Sequence, residues 1–279
     1  PMPLTRDASA PAAGGEACPA VPAARTPLVA GNWKMNGTYA DAVKLAQQVV
    51  DRLERSWRGR VDVVMCPPFT ALRGVSNVIA FDRSFAQVGA QDCHTADAGA
   101  FTGEISPAML SDLDCSWCIV GHSERRTLFG ETDADVAAKC TALARHGISP
   151  IVCVGEPAEV YDAGDTVAYV AGQVRASLEG ATLTGVDLAV AYEPVWAIGS
   201  GRVPSPEHVQ TVAAAVRAAV AQVRCDKRAA SARILYGGSV KPGNAAAFAS
   251  CPDVDGVLVG GDSLNAEAFV DIVGRVLDA

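Results

Sequence analysis

Glu193 and His122 are the side chains in this sequence best placed to move a proton. An isolated glutamate is ordinarily a solvated surface residue, and a lone histidine is more often structural. Here each closes a short apolar run, at 188–192 and 117–121, so both are presented at the same end of a strand. That placement points to a base and an acid–base partner. His122 opens the polar segment Ser123-Glu124-Arg125-Arg126, which can start a helix. A helix N-terminus lowers an imidazole pKa, so the segment predicts a neutral His122 able to donate a hydrogen bond to a carbonyl oxygen. Lys34 comes after another apolar run, at 28–32, and offers a fixed positive charge for a developing oxyanion.

Two glycine pairs, Gly237-Gly238 before Ser239 and Gly260-Gly261, come after the last two apolar runs. Glycine allows backbone N–H groups to approach an anion closely, and paired glycines in adjacent loops read as a phosphate cradle. The segment Val195, Trp196, Ala197, Ile198, Gly199, Ser200, Gly201 is apolar yet ends among glycines, the composition of a lid that excludes water. A base, a neutral electrophile, a cation, a cradle and a lid suit proton abstraction beside a carbonyl in a small phosphorylated sugar.

The elements that must bring these residues together are legible as eight apolar runs, at 28–32, 61–65, 86–90, 117–121, 150–155, 188–192, 233–237 and 256–260. They are continuously apolar rather than alternating, as parallel strands buried on both faces are. Amphipathic stretches at 39–56, 132–146, 205–224 and 266–277 lie between them, with Asp133 and Ser205 at N-cap positions and Pro206 at a first helical position. No linker divides residues 28–279, which predicts a single (β/α)8 barrel with its chemistry in the loops after the strands. An open doubly wound sheet shares the local pattern, but Gly31-Asn32-Trp33-Lys34-Met35-Asn36 is not the glycine fingerprint such a sheet carries after its first strand.

Residues 1–27 hold eight Ala and six Pro and read as a disordered extension. Of the 279 residues, 23 are Lys or Arg and 31 are Asp or Glu, a net charge of −8 that argues against a nucleic-acid partner. Nine cysteines, an odd count in a long chain, do not read as a disulfide framework but as reduced thiols in a cytoplasmic protein. Cys115 and Cys118 read as core residues whose side chains diverge along a strand. Neither a metal cluster nor a membrane-spanning run is evident.

The strings GNWKMNG (31–37), GAFTGE (99–104), GHSERR (121–126), CVGE (153–156), AYEPVWAIG (191–199), YGGSVKP (236–242) and LVGG (258–261) resemble those of the triosephosphate isomerases, in the family's order. The resemblance implies a TIM barrel that interconverts D-glyceraldehyde 3-phosphate and dihydroxyacetone phosphate without metal or redox cofactor. It implies Glu193 as the base and neutral His122 as the electrophile. Lys34 stabilises charge, Asn32 orients substrate and Glu124 supports Lys34. Gly199, Ser239, Gly260 and Gly261 hold phosphate, and Ile198 closes over the base. Thr102 crosses into the partner of a homodimer. The chain departs from the family's usual residues at Asp92, His94, Ser200, Arg202, Pro204 and Asp262. Asp262, if it faces the phosphate, and Pro204 raise the alternative of a paralogue acting on a four-carbon phosphorylated ketose; a non-catalytic phosphosugar binder is a second alternative, against which the intact Glu193, His122 and Lys34 argue. If Asp262 faces outward, it caps the short helix that begins there.

Overall fold

The computed structural model describes residues 25–224 and 229–279. Most of the extension read at 1–27 lies outside them. Its last residues belong to the fold: Arg25 Nε meets Asp255 Oδ1 at 2.5 Å, and the Pro27 carbonyl accepts the Asp62 N–H at 2.8 Å.

Eight parallel strands pair in chain order and close on themselves. They are β1 (Leu28–Asn32), β2 (Asp62–Cys66), β3 (Gln87–Ala90), β4 (Cys115–Val120), β5 (Ser149–Val154), β6 (Ala189–Tyr192), β7 (Arg233–Tyr236) and β8 (Gly256–Val259). Around them run α1 (Tyr39–Arg52), α2 (Leu72–Phe81), α3 (Pro107–Asp112), α4 (Ser123–Phe129), α5 (Asp133–Arg145), α6 (Ala158–Ala163), α7 (Thr166–Leu178), α8 (Pro206–Val223), α9 (Pro242–Ala249) and α10 (Ala266–Leu277). Alternate strand residues fill the barrel: Leu28 and Ala30 pack with Ile119, Ile151 and Leu235 inside, while Val29 joins the layer beneath the helices. Both faces are covered, which is why the runs are apolar throughout.

Local chemistry sets the helix ends. Ser205 caps α8 ahead of Pro206 as expected, but α5 is capped by Thr132 rather than Asp133. The Thr132 hydroxyl accepts the Asp135 N–H while Asp135 bonds back, a reciprocal box that Asp133 could not complete from the first helical position. Helix α1 stops at Arg52, short of 56, because Leu53 turns extended and buries its side chain. The expected divergence of Cys115 and Cys118 is also corrected. The β3–β4 register shifts between Val88 and Gly89, placing Gly89 opposite Trp117, so both thiols enter the outer core layer.

Ion pairs support the end of the barrel where the strands begin. Buried Arg233 pairs with Asp62 and Asp187 and lies over the Trp117 ring at 4.8 Å. Asp255 accepts from Arg217 at 2.6 Å and from the Ile234 N–H at 2.8 Å. The opposite end is left for loops.

At the β1–β8 seam, Gly256 has φ +144°, and a Cβ there would run into the Leu28 carbonyl. Gly256→Ala is expected to cost about 2–4 kcal/mol in urea unfolding, with an unchanged denaturant slope. A stability equal to wild type would mean the seam is more yielding than this packing indicates.

Candidate active site

Glu193 sits just beyond β6 and is 2% exposed. Its Oε1 lies 2.9 Å from His122 Nε2, and its Oε2 accepts the Ser123 N–H at 3.0 Å. Burial pushes its carboxyl up, but His122, the Ser123 N–H and Lys34 outweigh it, holding the group below its ordinary pKa. Cys153, inside the barrel beside it, has its thiol pushed well up by burial and by the Glu193 charge, so it remains a neutral packing residue.

His122 sits just beyond β4 and is the N-cap of α4, as the polar segment predicts. The electrostatic outcome differs from the helix-terminus expectation. Burial disfavours the imidazolium, yet the adjacent Glu193 charge favours it and raises the pKa on balance. The Glu124 N–H still points at Nδ1 from 3.2 Å, and only an unprotonated Nδ1 accepts it. This hydrogen bond selects the tautomer with the proton on Nε2, facing Glu193.

Asn32 ends β1, and its Oδ1 accepts the Lys34 N–H at 3.1 Å. Lys34 holds a left-handed backbone, φ +53°, which is rare for a residue with a Cβ. The conformation is fixed from three sides: by Asn32, by Gln91 Nε2 on the Lys34 carbonyl at 2.8 Å, and by the Nζ–Glu124 Oε1 bond at 2.7 Å. Such local strain persists only where its surroundings over-determine it.

Asn32, Lys34, His122, Glu193, Ile198, Gly199, Ser239, Gly260 and Gly261 line one cavity of about 180 Å³, together with Gly237, Gly238 and Leu258. Among the described residues, no backbone carbonyl takes the N–H groups of Gly199, Ser239, Gly260 or Gly261, although that of Ser239 lies against the Tyr236 hydroxyl; the others are left as donors for an anion. The two glycine pairs differ in purpose. A Cβ on Gly260 or Gly261 would meet open space, whereas one on Gly237 would sit 2.9 Å from Glu193 Cγ and one on Gly238 would strike the Tyr236 hydroxyl. The first pair therefore clears room for the base and for a buried tyrosine.

Glu124 does not line the cavity and acts through Lys34. Thr102 is exposed on the long loop after β3 and borders a different hollow with Phe101, Arg125 and Lys139. Of the lid residues, Ile198 and Gly199 reach the cavity. Val195 lines a hollow behind Glu193, Ala197 is buried, and Ser200 and Gly201 stand outside. Trp196 turns away, and its Nε1 donates to Glu156 at 2.7 Å. The same carboxylate oxygen accepts the Tyr192 hydroxyl at 3.0 Å and the Thr166 hydroxyl at 3.2 Å. Asp262 does not line the cavity, and its side chain caps nothing, since Gly260 holds the N-cap position of the turn at Gly261–Leu264. Sequence reasoning did not pick out Gln91 or the Ser123 N–H. Gln91 carried a signal, since it opens the loop that leaves β3.

Asp92, Glu131 and Lys139, all buried, form with the half-buried Arg125 a quartet with balanced formal charge. Asp92 meets Arg125 Nε and Lys139 Nζ at 2.7 Å each; Glu131 meets them at 2.9 and 3.2 Å and accepts the Gly121 N–H at 3.0 Å. The quartet ties the loop after β3 to the residue preceding His122.

The sequence model of the triosephosphate isomerase family matches residues 27–276. Triosephosphate isomerase from Corynebacterium efficiens is 48% identical over 261 residues, covering 92% of this chain and 99% of the relative. That from Corynebacterium diphtheriae is 50% identical over 255 residues, covering 90% and 97%. The crystal structure of triosephosphate isomerase from Bartonella henselae superposes with a TM-score of 0.78 at 35% identity, covering 90% of this chain and 98% of that one.

The packing and charge around the base lead to two expected outcomes. Gly237→Ala should displace Glu193 and lower kcat by about 10- to 100-fold, while the inhibition constant for inorganic phosphate changes less than about twofold; equal losses in both would place Gly237 in the phosphate cradle instead. A carboxyl whose pKa is lowered by folding adds stability above its unfolded pKa and loses it as pH falls through the folded value. Any stability advantage of wild type over Glu193→Gln should therefore shrink on acidification below the ordinary carboxylate range. Urea unfolding of both proteins across that range would show a constant difference if Glu193 were not held ionised.

Proposed function

The chain belongs to the triosephosphate isomerase family, and from that premise we propose how its residues divide the interconversion of D-glyceraldehyde 3-phosphate and dihydroxyacetone phosphate. The substrate phosphate lies on the N–H groups of Gly199, Ser239, Gly260 and Gly261, and its carbonyl end points at His122 and Lys34. Glu193 takes the proton from the carbon beside the carbonyl. The electron pair forms the carbon–carbon double bond of the enediolate, and the carbonyl oxygen becomes an oxyanion stabilised by Lys34 and His122. His122 donates its Nε2 proton there and recovers one from the neighbouring hydroxyl. Glu193 then returns its proton to the adjacent carbon, so that atoms and charge balance. Asn32 holds the Lys34 backbone and orients substrate, and Glu124 aims the lysine head group. Ile198 excludes water from the base.

The observation that carries this assignment is the direct Glu193–His122 contact inside a cavity lined by free backbone donors. It also accounts for a neutral His122 during turnover. The group that most raises its pKa is Glu193; once that carboxylate turns to the substrate carbon, burial and Lys34 favour the uncharged ring.

We further infer a homodimer in which Thr102 stands beside the partner's Asn32 and Lys34. Support comes from the apolar side chains left on these loops, with Met35 95% and Phe101 47% exposed. Residues 28–279 form one catalytic domain in this reading. The seven cysteines Cys66, Cys93, Cys115, Cys118, Cys140, Cys153 and Cys251 are free and buried, which suits a reducing cytoplasm.

Turnover of glyceraldehyde 3-phosphate by wild type, Glu193→Gln and His122→Gln tests the roles. Each substitution should lower kcat by roughly 10²- to 10⁴-fold, with smaller changes in affinity for a phosphorylated carboxylate. Retention of wild-type turnover by either variant would remove that residue from the mechanism. Faster wild-type turnover on a four-carbon phosphorylated ketose would overturn the substrate assignment.

A further inference from the structure

Arg202, near the C-terminal end of the lid, stands over two aromatic rings. Its guanidinium carbon is 4.6 Å from the Trp196 ring centre and 5.3 Å from that of Tyr161. Trp196 and Tyr161 are themselves stacked, 3.9 Å apart at 24°. His208 closes the cluster edge-on, 5.5 Å from Tyr161 and 6.1 Å from Trp196. Among the described residues, the Arg202 guanidinium has no carboxylate partner, so its charge rests on the two rings.

Arg202, Trp196 and Tyr161 come from different parts of the chain. Trp196 lies in the tight turn Val195–Ala197, where Glu156 pins its indole from a fully buried position. Tyr161 belongs to α6, outside the lid. Arg202 comes after the stretch from Gly199 to Gly201, whose two glycines have φ of +71° and +77°. Ile198 at the tip lines the cavity and is 37% exposed here. Closing the tip further over a bound phosphate would draw Arg202 off the Tyr161 face.

We propose that Arg202, stacked on Trp196 and Tyr161, is a latch that holds the lid open, and that Arg202 and Tyr161 are positioning residues setting the fraction of enzyme able to enclose a phosphorylated ligand. This rests on the isomerase reading of the same cavity. A cation over an aromatic face stabilises the open arrangement and has no counterpart once the lid has moved. Apparent affinity for a ligand that needs the closed lid is reduced by the fraction of molecules held open.

The distinguishing sign is that breaking a contact tightens binding, whereas structural damage weakens it. The probe is 2-phosphoglycolate, a phosphate joined to a planar carboxylate that mimics an enediolate. Titrated into the full chain by calorimetry, Arg202→Met should bind it about 3- to 10-fold more tightly than wild type. Tyr161→Leu, which leaves the charge near the phosphate unchanged, should shift affinity in the same direction. Arg202→Lys, which keeps a cation in place, should fall between Arg202→Met and wild type. In steady-state assays KM should fall with the dissociation constant, separating a lid effect from loss of chemistry. Unchanged or weakened binding in both Arg202→Met and Tyr161→Leu, with native circular dichroism, overturns the latch, as does tightening confined to Arg202→Met, which would report charge alone. If either variant fails to fold, Arg202→Lys decides: binding indistinguishable from wild type counts against the latch. Wild-type turnover measured alongside keeps the outcomes separate, because an inactive wild type would count against the isomerase reading and not against the lid equilibrium.

Discussion

Keeping an ionised carboxylate almost fully buried is costly unless its charge is met by partners. Glu193 is in that position, and much of the barrel's open end serves it. One oxygen is met by the His122 ring and the other by the Ser123 N–H, both supplied by the turn where β4 becomes α4. Lys34 adds a charge from the loop after β1. Space is arranged with equal care: Gly155 has no Cβ because the Glu193 carbonyl occupies its place, and Gly237 has none because the Glu193 side chain does. A carboxylate so held keeps a pKa below its ordinary value despite its burial.

The site combines two mechanical regimes. The donors at Ser239, Gly260 and Gly261 lie directly beyond β7 and β8 and inherit the stiffness of the barrel. The remaining donor, Gly199, is carried by the lid. That lid is anchored at its N-terminal end, where Glu156 collects hydrogen bonds from Thr166, Tyr192 and Trp196 on one oxygen. The segment is thus held at one end, while Gly199 and Gly201 bound the other with left-handed backbones.

Much of this was legible in the residues themselves. All eight apolar runs became strands because parallel strands in a closed barrel are buried on both faces, and the chemistry-bearing residues stand immediately C-terminal to those runs. The boundaries moved where pairing overrode composition: β4 begins at Cys115 rather than 117 through the irregular β3–β4 register. Backbone roles were harder to see. Nothing in the identity of Ser123 announces that its N–H binds a carboxylate. A glycine pair likewise looks the same whether it admits a phosphate or makes way for a neighbouring side chain. Trp196 read as part of a lid, but its anchor Glu156 is distant in sequence and becomes apparent only after the barrel closes.

The quartet of Asp92, Arg125, Glu131 and Lys139 has a bearing on the conditions under which the enzyme keeps its shape. Exposed ion pairs fade as salt is added, but charges enclosed by protein are little screened. The dehydration penalty of such groups also declines on heating, while hydrophobic stabilisation per unit area plateaus. The Lys139 pairs with Asp92 and Glu131, buried at the join between the loop after β3 and the turn bearing His122, are thus of a kind that warmth and brine erode slowly, so that join should outlast the looser surface contacts around it.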